Sequence, residues 1–447
     1  MTKLITRHLT KVLQVPYNLK SGGFVVDFTP DKYTQEQEEF AKEVNKWLDE
    51  NVPEGMEFPR DPLNVTQEQF QKRRELAKRA AQKGYLYPNY PVKYGGGGYT
   101  RSQATVIRRE TARRKISLMG FHSAGSTMGI PAILACGTEE QKERLLPLII
   151  KDGALTWELF TEPEAGSDEA NQQTNALRAE RDGEYFIVNG GKIFVGGIYP
   201  PPDNFLLLTR SDTKAPRHEN LAMFLTPADL EGVSIVPLDL FVPGPFGVSS
   251  GSMTAGADGI KYQVFFDDVR IHEKYLIGKE GDGWRVANAA LEVEHGGIGA
   301  AENGAGEGGG AQFWGSEQSY IVRKFIKQCK NNPDIVDRIK ANPLLVENII
   351  NVYIEAEKER LFGLRNAGGM GGRAGGTHAQ LFTKKFSILL TNEIAKVLGP
   401  YGLTSDEELG VEETMFEVAQ RGALCLAPLG TPEVLKIVIS RALAIGR

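Results

Sequence analysis

Apolar and polar residues follow one another along this chain in two rhythms, and the change between them divides it into parts. From Tyr33 to Lys151 the rhythm is helical. "QEQEEFAKEVNKWLDENV" is amphipathic at a period of about 3.6 residues, and "TQEQFQKRRELAKRAAQKGY" repeats the pattern behind a threonine suited to cap a helix N-terminus. After Gly153 the texture changes to short runs rich in Phe, Val, Ile and Tyr, broken by turn residues: "GEYFIVNGGKIFVGG", "NFLLLTR", "LAMFLTP", "VSIVPL" and "YQVFFDDVRI". Within the first of these, Asn189-Gly190 reads as a hairpin turn between two strands. From Gly283 long helical patterns return, including "LLVENIINVYIEAEKERLFGLRN", "QLFTKKFSILLTNEIAKVLG" and "PEVLKIVISRALAIG". This order predicts an α+β fold with an N-terminal extension (1–32), a helical domain (33–153), a middle β domain, barrel or sandwich (154–278), and a C-terminal helical domain (279–447).

Two segments depart from both rhythms. "GGIGAAENGAGEGGGAQFWGSEQ" and "GGMGGRAGGTH" are too glycine-rich for a helix interior, where each Gly costs about 1 kcal/mol against Ala, so both read as loops or hinges. Neither has the Gly-Lys-Ser/Thr ending of a phosphate loop or a dinucleotide fingerprint between strand and helix. A Rossmann or P-loop enzyme is therefore disfavoured.

One carboxylate is placed unexpectedly. In "WRVANAALEVEHGGIG", Glu292 and Glu294 stand two residues apart, which on a helix puts them about 200° apart. Glu292 shares its face with Asn288 and Arg285, a solvent-like set. Glu294 shares its face with Leu291, Ala290 and Ala287, an apolar stripe. An ionised Glu on such a stripe is either paired or used.

Composition narrows the function more than the fold. A chain of 447 residues is long enough for two or three packed units, and a net charge of −5 offers no basic field for nucleic acid. No stretch approaches the ~18 to 20 apolar residues of a membrane span. Cys136, Cys329 and Cys425 are widely spaced and fit no metal-ligand pattern, which points to small buried thiols in a reduced, cytoplasmic-type compartment. The first 26 residues contain no acid but include Lys3, Arg7, His8, Lys11 and Lys20. That composition has some likeness to a transit peptide, but the segment reads here as an extension packing on the body or on a neighbouring subunit.

The most specific segment is "ELFTEPEAGSDEANQQTNALRAERDGEYFIVNGGKIFVGG", Glu158 to Gly197, which exposes backbone and hydroxyl groups at Thr161, Gly166 and Ser167 after a strand. With "FDDVRIHEKYLIGKEGDGW", "LGPYG" and the closing "GTPEVLKIVISRALAIGR", it closely resembles the acyl-CoA dehydrogenase superfamily over nearly all of the chain from Tyr33 onward. The resemblance implies that family's fold, an N-terminal helical domain, a β domain and a C-terminal four-helix bundle, together with FAD, an acyl-CoA substrate, an electron-transfer flavoprotein as electron acceptor and a homotetramer. It also implies site residues. Phe160 and Thr161 look like the residues that bond the flavin pyrimidine edge, and Ser167 like the hydroxyl between cofactor and acyl-CoA. Phe194, Val195 and Gly196 match the tripeptide flanking the isoalloxazine ring, although the family usually has Trp first and Ser or Thr last. Thr431 matches a cofactor-binding threonine. Lys396 stands where a Gln often meets the pyrophosphate, and Glu292, His295 and Gly430 fall beside the substrate.

The family's chemistry removes the α-proton of an acyl thioester and passes the β-hydrogen as hydride to the flavin. It needs a carboxylate beside Cα in a dry site. Most members supply it from a Glu-Gly-Thr tripeptide, but this chain reads "APLGT", with Leu429 in the Glu position. A minority, isovaleryl-CoA and long-chain acyl-CoA dehydrogenases among them, supply it from the helix after the Gly-x-Gly-Trp/Phe segment, and Glu294 falls on that position. Helical face and family alignment therefore select the same residue. The usual Arg-x-x-Phe-Gly motif for the flavin pyrophosphate is missing, with Arg338 and Lys340 the nearest charges in that region. Two other readings stay open on that account: a non-oxidative lyase or hydrolase on CoA thioesters, and a partner subunit with a degraded flavin site. Ala289, Ala290 and Gly296 to Gly299 near the base would leave room for a cyclic, branched or carboxylated acyl chain, as would Glu158 in place of a common aromatic.

Overall fold

The computed structural model describes residues 33–56, 65–114, 116–118, 124–178, 183–197, 199–238, 261–294, 322, 325–367, 375–403 and 431–445. Five helices open it: α1 (Gln35–Asn51), α2 (Gln67–Lys83), α3 (Arg101–Arg113), α4 (Ala124–Cys136) and α5 (Glu139–Ile150). Four of them start in the same way. Thr34, Thr66, Thr100 and Thr138 each accept a hydrogen bond from the backbone of the Gln three residues on, whose side chain reaches back to the cap. The Thr-x-x-Gln spacing thus satisfies two orphan groups at each helix start.

Seven strands follow: β1 (Thr156–Leu159), β2 (Asn175–Arg178), β3 (Tyr185–Gly196), β4 (Asn204–Arg210), β5 (Leu221–Pro227), β6 (Val233–Leu238) and β7 (Lys261–His272). They form one sheet in the order β1-β4-β2-β3-β7-β6, with β5 paired to β4. The sequence pattern identifies all of these strands except the four-residue β2. β4 and β5 are almost wholly buried, which explains why "NFLLLTR" and "LAMFLTP" show no polar alternation. Leu206, Leu208, Leu221, Met223 and Leu225 join the core shared with the N-terminal helices. Phe205, Leu207, Ala222 and Phe224 point the other way, into the core of the sheet.

The hairpin expected at Asn189-Gly190 is not formed. β3 runs on through these residues because β7 pairs with it on both sides of them, from Tyr185–His272 to Gly196–Lys261, so the chain has no room to reverse. Instead the register shifts between Val188 and Gly190, and Gly190 takes up the irregularity at φ 141°. Asn189 latches the bend by donating from Nδ2 to Asp268 Oδ1 (2.9 Å) and accepting from Asp268 N (2.8 Å). Asn-Gly signals a turn, but flanking strands on both edges decide whether the chain turns back.

Helix α6 (Gly283–Glu294) leads out of the sheet. Gly283 lies directly on β5, where a Cβ would come within 2.5 Å of the Leu221–Ala222 backbone. Farther on come α7 (Pro333–Ala341), α8 (Pro343–Ala367), α9 (Gly375–Leu398) and α10 (Pro432–Ala442). Phe325, Val352, Ala356, Phe386, Leu390, Ile394 and Val397 build a third core there. One expected loop is helical: Gly375 to His378, the end of "GGMGGRAGGTH", form the first turn of α9. Gly375, Gly376 and Thr377 are buried in that turn, and packing of this kind overrides their weak helix propensity.

Candidate active site

Of the sequence-predicted residues, Phe160, Thr161 and Ser167 follow β1, and Phe194, Val195 and Gly196 lie on the part of β3 bonded to that segment. Phe160 is buried behind the strand, Thr161 half-buried, Glu162 buried, and the chain then turns over 163–167. Glu162 O accepts from Ala165 N (3.2 Å) and Gly166 N (2.9 Å), closing the turn. Gly166 has φ 53°, and nothing lies within 4 Å of where its Cβ would be. Glycine is thus needed there for backbone conformation, and its outer side is open. Ser167 beside it is exposed.

β3 comes up against this edge through a second irregularity. Between Lys192 and Val195 its register with β7 shifts again, and Ile193 N donates to Thr161 O (3.0 Å). Phe194 is held at φ 60° with 51% of its surface exposed, while Val195 is buried and Gly196 half-buried. A bulky residue in the left-handed region is an outlier, and a large aromatic left half bare is a second one. The two coincide at the residue after Ile193, whose N–H is bonded to the Thr161 carbonyl. The following Gly197 is required by packing, because a Cβ there would fall 2.1 Å from the buried Trp157 indole.

Under this edge lies a charged group that sequence reasoning did not single out. Lys192 Nζ bonds Glu162 Oε1 (2.6 Å), Phe160 O (3.3 Å) and Gln172 Oε1, with the Lys and Glu side chains 0% and 1% exposed. Burial drives the Lys192 ammonium down to about 8, against the pull of Glu162. Burial also works to raise the Glu162 carboxyl. The Lys192 charge and the N–H donors of Gln173 and Thr174 outweigh it and leave the carboxyl lowered. A signal was present: counting by twos from the buried Phe186 and Val188, position 192 falls on the inward face, where a lysine is rare.

A second missed set links the Ser167 turn to α6. Arg217 is ion-paired with Asp168, and His218, at φ 78°, stacks on Trp284 with ring centroids 4.8 Å apart. α6 itself is oriented as its pattern predicts. Val286, Ala287 and Ala290 are fully buried, whereas Arg285 and Asn288 face out. The helix reaches Glu294, on the turn beyond Ala287 and Ala290. The side chains of Glu292 and Glu294, and His295, Leu429 and Gly430 entirely, lie outside the described residues.

The C-terminal candidates fall elsewhere. Thr431 is the N-cap of α10, its Oγ1 accepting from Val434 N (3.3 Å). Lys396, on α9, pairs with Glu393 (2.6 Å), and Arg338 closes the end of the same helix by donating from Nη2 to Lys396 O (3.2 Å). Lys340 pairs with Asp337 (2.8 Å). Among the described residues Lys396 bonds Glu393 and Arg338, and Thr431 bonds Val434, all within the C-terminal helices rather than at the Thr161–Phe194 edge.

Comparison with known proteins settles the family. Residues 34–152 match the model of the acyl-CoA dehydrogenase N-terminal domain, and residues 158–244 that of the acyl-CoA dehydrogenase middle domain. These two stretches, just under half of the chain, are domains of the acyl-CoA dehydrogenase superfamily. It is similar to the acyl-CoA dehydrogenase IpdE1 of Mycobacterium tuberculosis, 31% identical over 268 residues, which are 59% of this chain and 64% of that protein. The alignment therefore spans a little under two thirds of that relative. Two solved structures share the acyl-CoA dehydrogenase fold. The Tcur3481-Tcur3483 steroid ACAD has a TM-score of 0.69 at 23% identity, covering 93% of this chain and 99% of that one. The ChsE4-ChsE5 complex from Mycobacterium tuberculosis has a TM-score of 0.66 at 22% identity, covering 94% and 100%.

Acyl-CoA dehydrogenase family members are FAD-dependent flavoproteins, and the residues present here fit a flat aromatic cofactor. Gly166 is open on its outer side, Ser167 is exposed, and the Phe194 ring is half bare beside Ile193, whose N–H bonds the Thr161 carbonyl. Phe160, Thr161, Ser167, Phe194, Val195 and Gly196 are the residues that would hold the ring.

Proposed function

We propose that the chain dehydrogenates an acyl-CoA thioester between its α and β carbons. The observation that carries this reading is Phe194, strained and exposed on a bulge that is hydrogen-bonded to the Phe160–Thr161 edge. Strain of this kind persists where the surrounding structure imposes it, most often at a binding site. Bound FAD supplies the acceptor for the β-hydrogen. The chain supplies the rest: Phe194 to Gly196 flank the ring, Ser167 separates cofactor from thioester, and the CoA portion runs past Arg217, His218 and Trp284 towards α6. Glu294 takes the α-proton. In the sequence it falls on the helical stripe of Ala287, Ala290 and Leu291, and a dry setting of that kind would favour the proton transfer.

Ala289 and Ala290 on α6 keep the wall near the base low, which favours a cyclic, branched or carboxylated acyl group. The electrons leave to an electron-transfer flavoprotein. Val346, Ile350, Ile354 and Leu361 form an exposed apolar stripe along α8, and this stripe supports subunit packing in a homotetramer. A second reading rests on the missing pyrophosphate arginine, since Arg338 and Lys340 are both engaged within this chain. In that reading a different subunit completes the cofactor site, an arrangement in keeping with the two-chain names of both fold neighbours. No helix among the described residues is long and apolar enough to cross a membrane, and Cys136 and Cys329 are free thiols, in keeping with a cytoplasmic setting.

The test is an acyl-CoA panel followed by bleaching of the flavin band. Glu294→Gln should keep the bound flavin and lower turnover by roughly 10³-fold, because an amide cannot accept the proton, while Glu292→Gln should change little. Equal losses in both variants would remove Glu294 as the base, and a purified chain without a flavin band would remove the oxidative reading altogether.

A further inference from the structure

The buried pair beneath the flavin edge has no obvious role in stability. Two charges removed from water together gain little over well-packed apolar residues of the same size, so their presence asks what geometry they fix. Their neighbours answer that. Lys192 Nζ and Gln172 Nε2 both donate to one acceptor, the carbonyl of Phe160, at 3.3 Å and 3.1 Å. Gln172 is itself held by the Glu169 carbonyl (2.8 Å), and Lys192 by Glu162 (2.6 Å). Glu162 in turn accepts Gln173 N (2.5 Å) and Thr174 N (3.1 Å), which fixes it to the chain entering β2.

A peptide unit is planar and trans, so its N–H points opposite to its C=O. Drawing the Phe160 carbonyl inward therefore turns the Thr161 N–H outward, away from Lys192. At the same residue the Thr161 carbonyl is taken by Ile193 N, immediately before Phe194. The orientation of the exposed edge is thus set from below by two buried side chains and from beside by the bulge.

We propose that Lys192 and Gln172 are positioning residues for the flavin, fixing the Phe160–Thr161 peptide plane so that the Thr161 N–H faces the cofactor's pyrimidine edge. This rests on the flavin reading above. The pair holds the donor in its bound direction before the cofactor arrives, and preorganisation of that kind appears as affinity rather than as fold stability.

The experiment compares the full chain with Gln172→Met and with the double variant Lys192→Met/Glu162→Gln, which removes both charges of the pair together. Three quantities are measured: thermal unfolding of the flavin-free chain, FAD dissociation by recovery of flavin fluorescence, and the visible spectrum of the bound flavin. Both variants should melt close to the parent, bind FAD about tenfold or more weakly, and shift the flavin band. Parent-like affinity and spectrum in either folded variant overturns the proposal. So does a loss of affinity that only follows a lower melting temperature, since that marks a purely structural pair. A parent chain that binds no FAD refutes the flavin reading, and this proposal with it.

Discussion

Replacing Phe194 by glycine and by alanine separates the strain at this position from its purpose. Phe194 sits at φ 60°, where a residue with a Cβ is disfavoured by about 1–2 kcal/mol. Fully burying a Phe is worth about 1.5–3 kcal/mol, and with 51% of this side chain exposed roughly half of that is realised. Phe194→Ala keeps the strain and loses the packing, so the folded chain should lose about 1 kcal/mol. Phe194→Gly loses the same packing and relieves the strain, but gives the unfolded chain about 0.5–1 kcal/mol of added freedom. Glycine should therefore be the more stable of the two by roughly 0.5–1 kcal/mol, the reverse of their usual order inside a strand. The assay is urea unfolding of the flavin-free chain, with FAD titration of both variants alongside. Both should bind FAD more weakly because the wall of the ring site is gone. Alanine above glycine by the ordinary margin would show that the backbone is not held in the left-handed region. Unchanged FAD affinity would show that Phe194 is not part of the flavin site.

Two further outcomes follow from the same structure. Lys142, Lys93 and Tyr94 hold the Glu139 carboxyl down to about 2, from an ordinary value of 4.5. Its lowered pKa contributes stability that is present above about pH 4.5 and lost as the pH falls towards 2, so the gap in urea midpoint between the parent and Glu139→Gln should close over that range. A gap independent of pH would refute the role given to this carboxylate. On α8, Ile354→Asp places a charge in the exposed apolar stripe, and light scattering should show a smaller particle with the chain still folded. An unchanged particle mass would exclude this face from the subunit interface.

Local rules were sufficient for the helices and most strands. Thr-x-x-Gln spacing marks four helix starts, and the 3.6-residue period of α1, α2 and α6 carries straight into their buried faces, including the division of Arg285 and Asn288 from Ala287 and Ala290. The motif from Glu158 to Gly197 was legible for the same reason: a run of residues with fixed backbone demands is short-range information. Pairing partners were not legible in this way. Asn189-Gly190 carries a turn signal that only β7, contributed some 70 residues later, overrules. Glycines 375 and 376 become helical only because that turn is buried in the C-terminal bundle.

The site divides along the same line. The chain alone is enough to propose which residues meet a flavin and to predict that α6 buries the face of Ala287 and Ala290, as it does. That Phe194 stands strained and half bare, that Lys192 lies buried under the Phe160 carbonyl, and that His218 stacks on Trp284 were decided by tertiary structure alone. Each depends on contacts between segments far apart in sequence, where the energy of a side chain is set by what surrounds it. A lysine in a strand is a surface residue in water and a strut in a dry core, and its letter is the same in both.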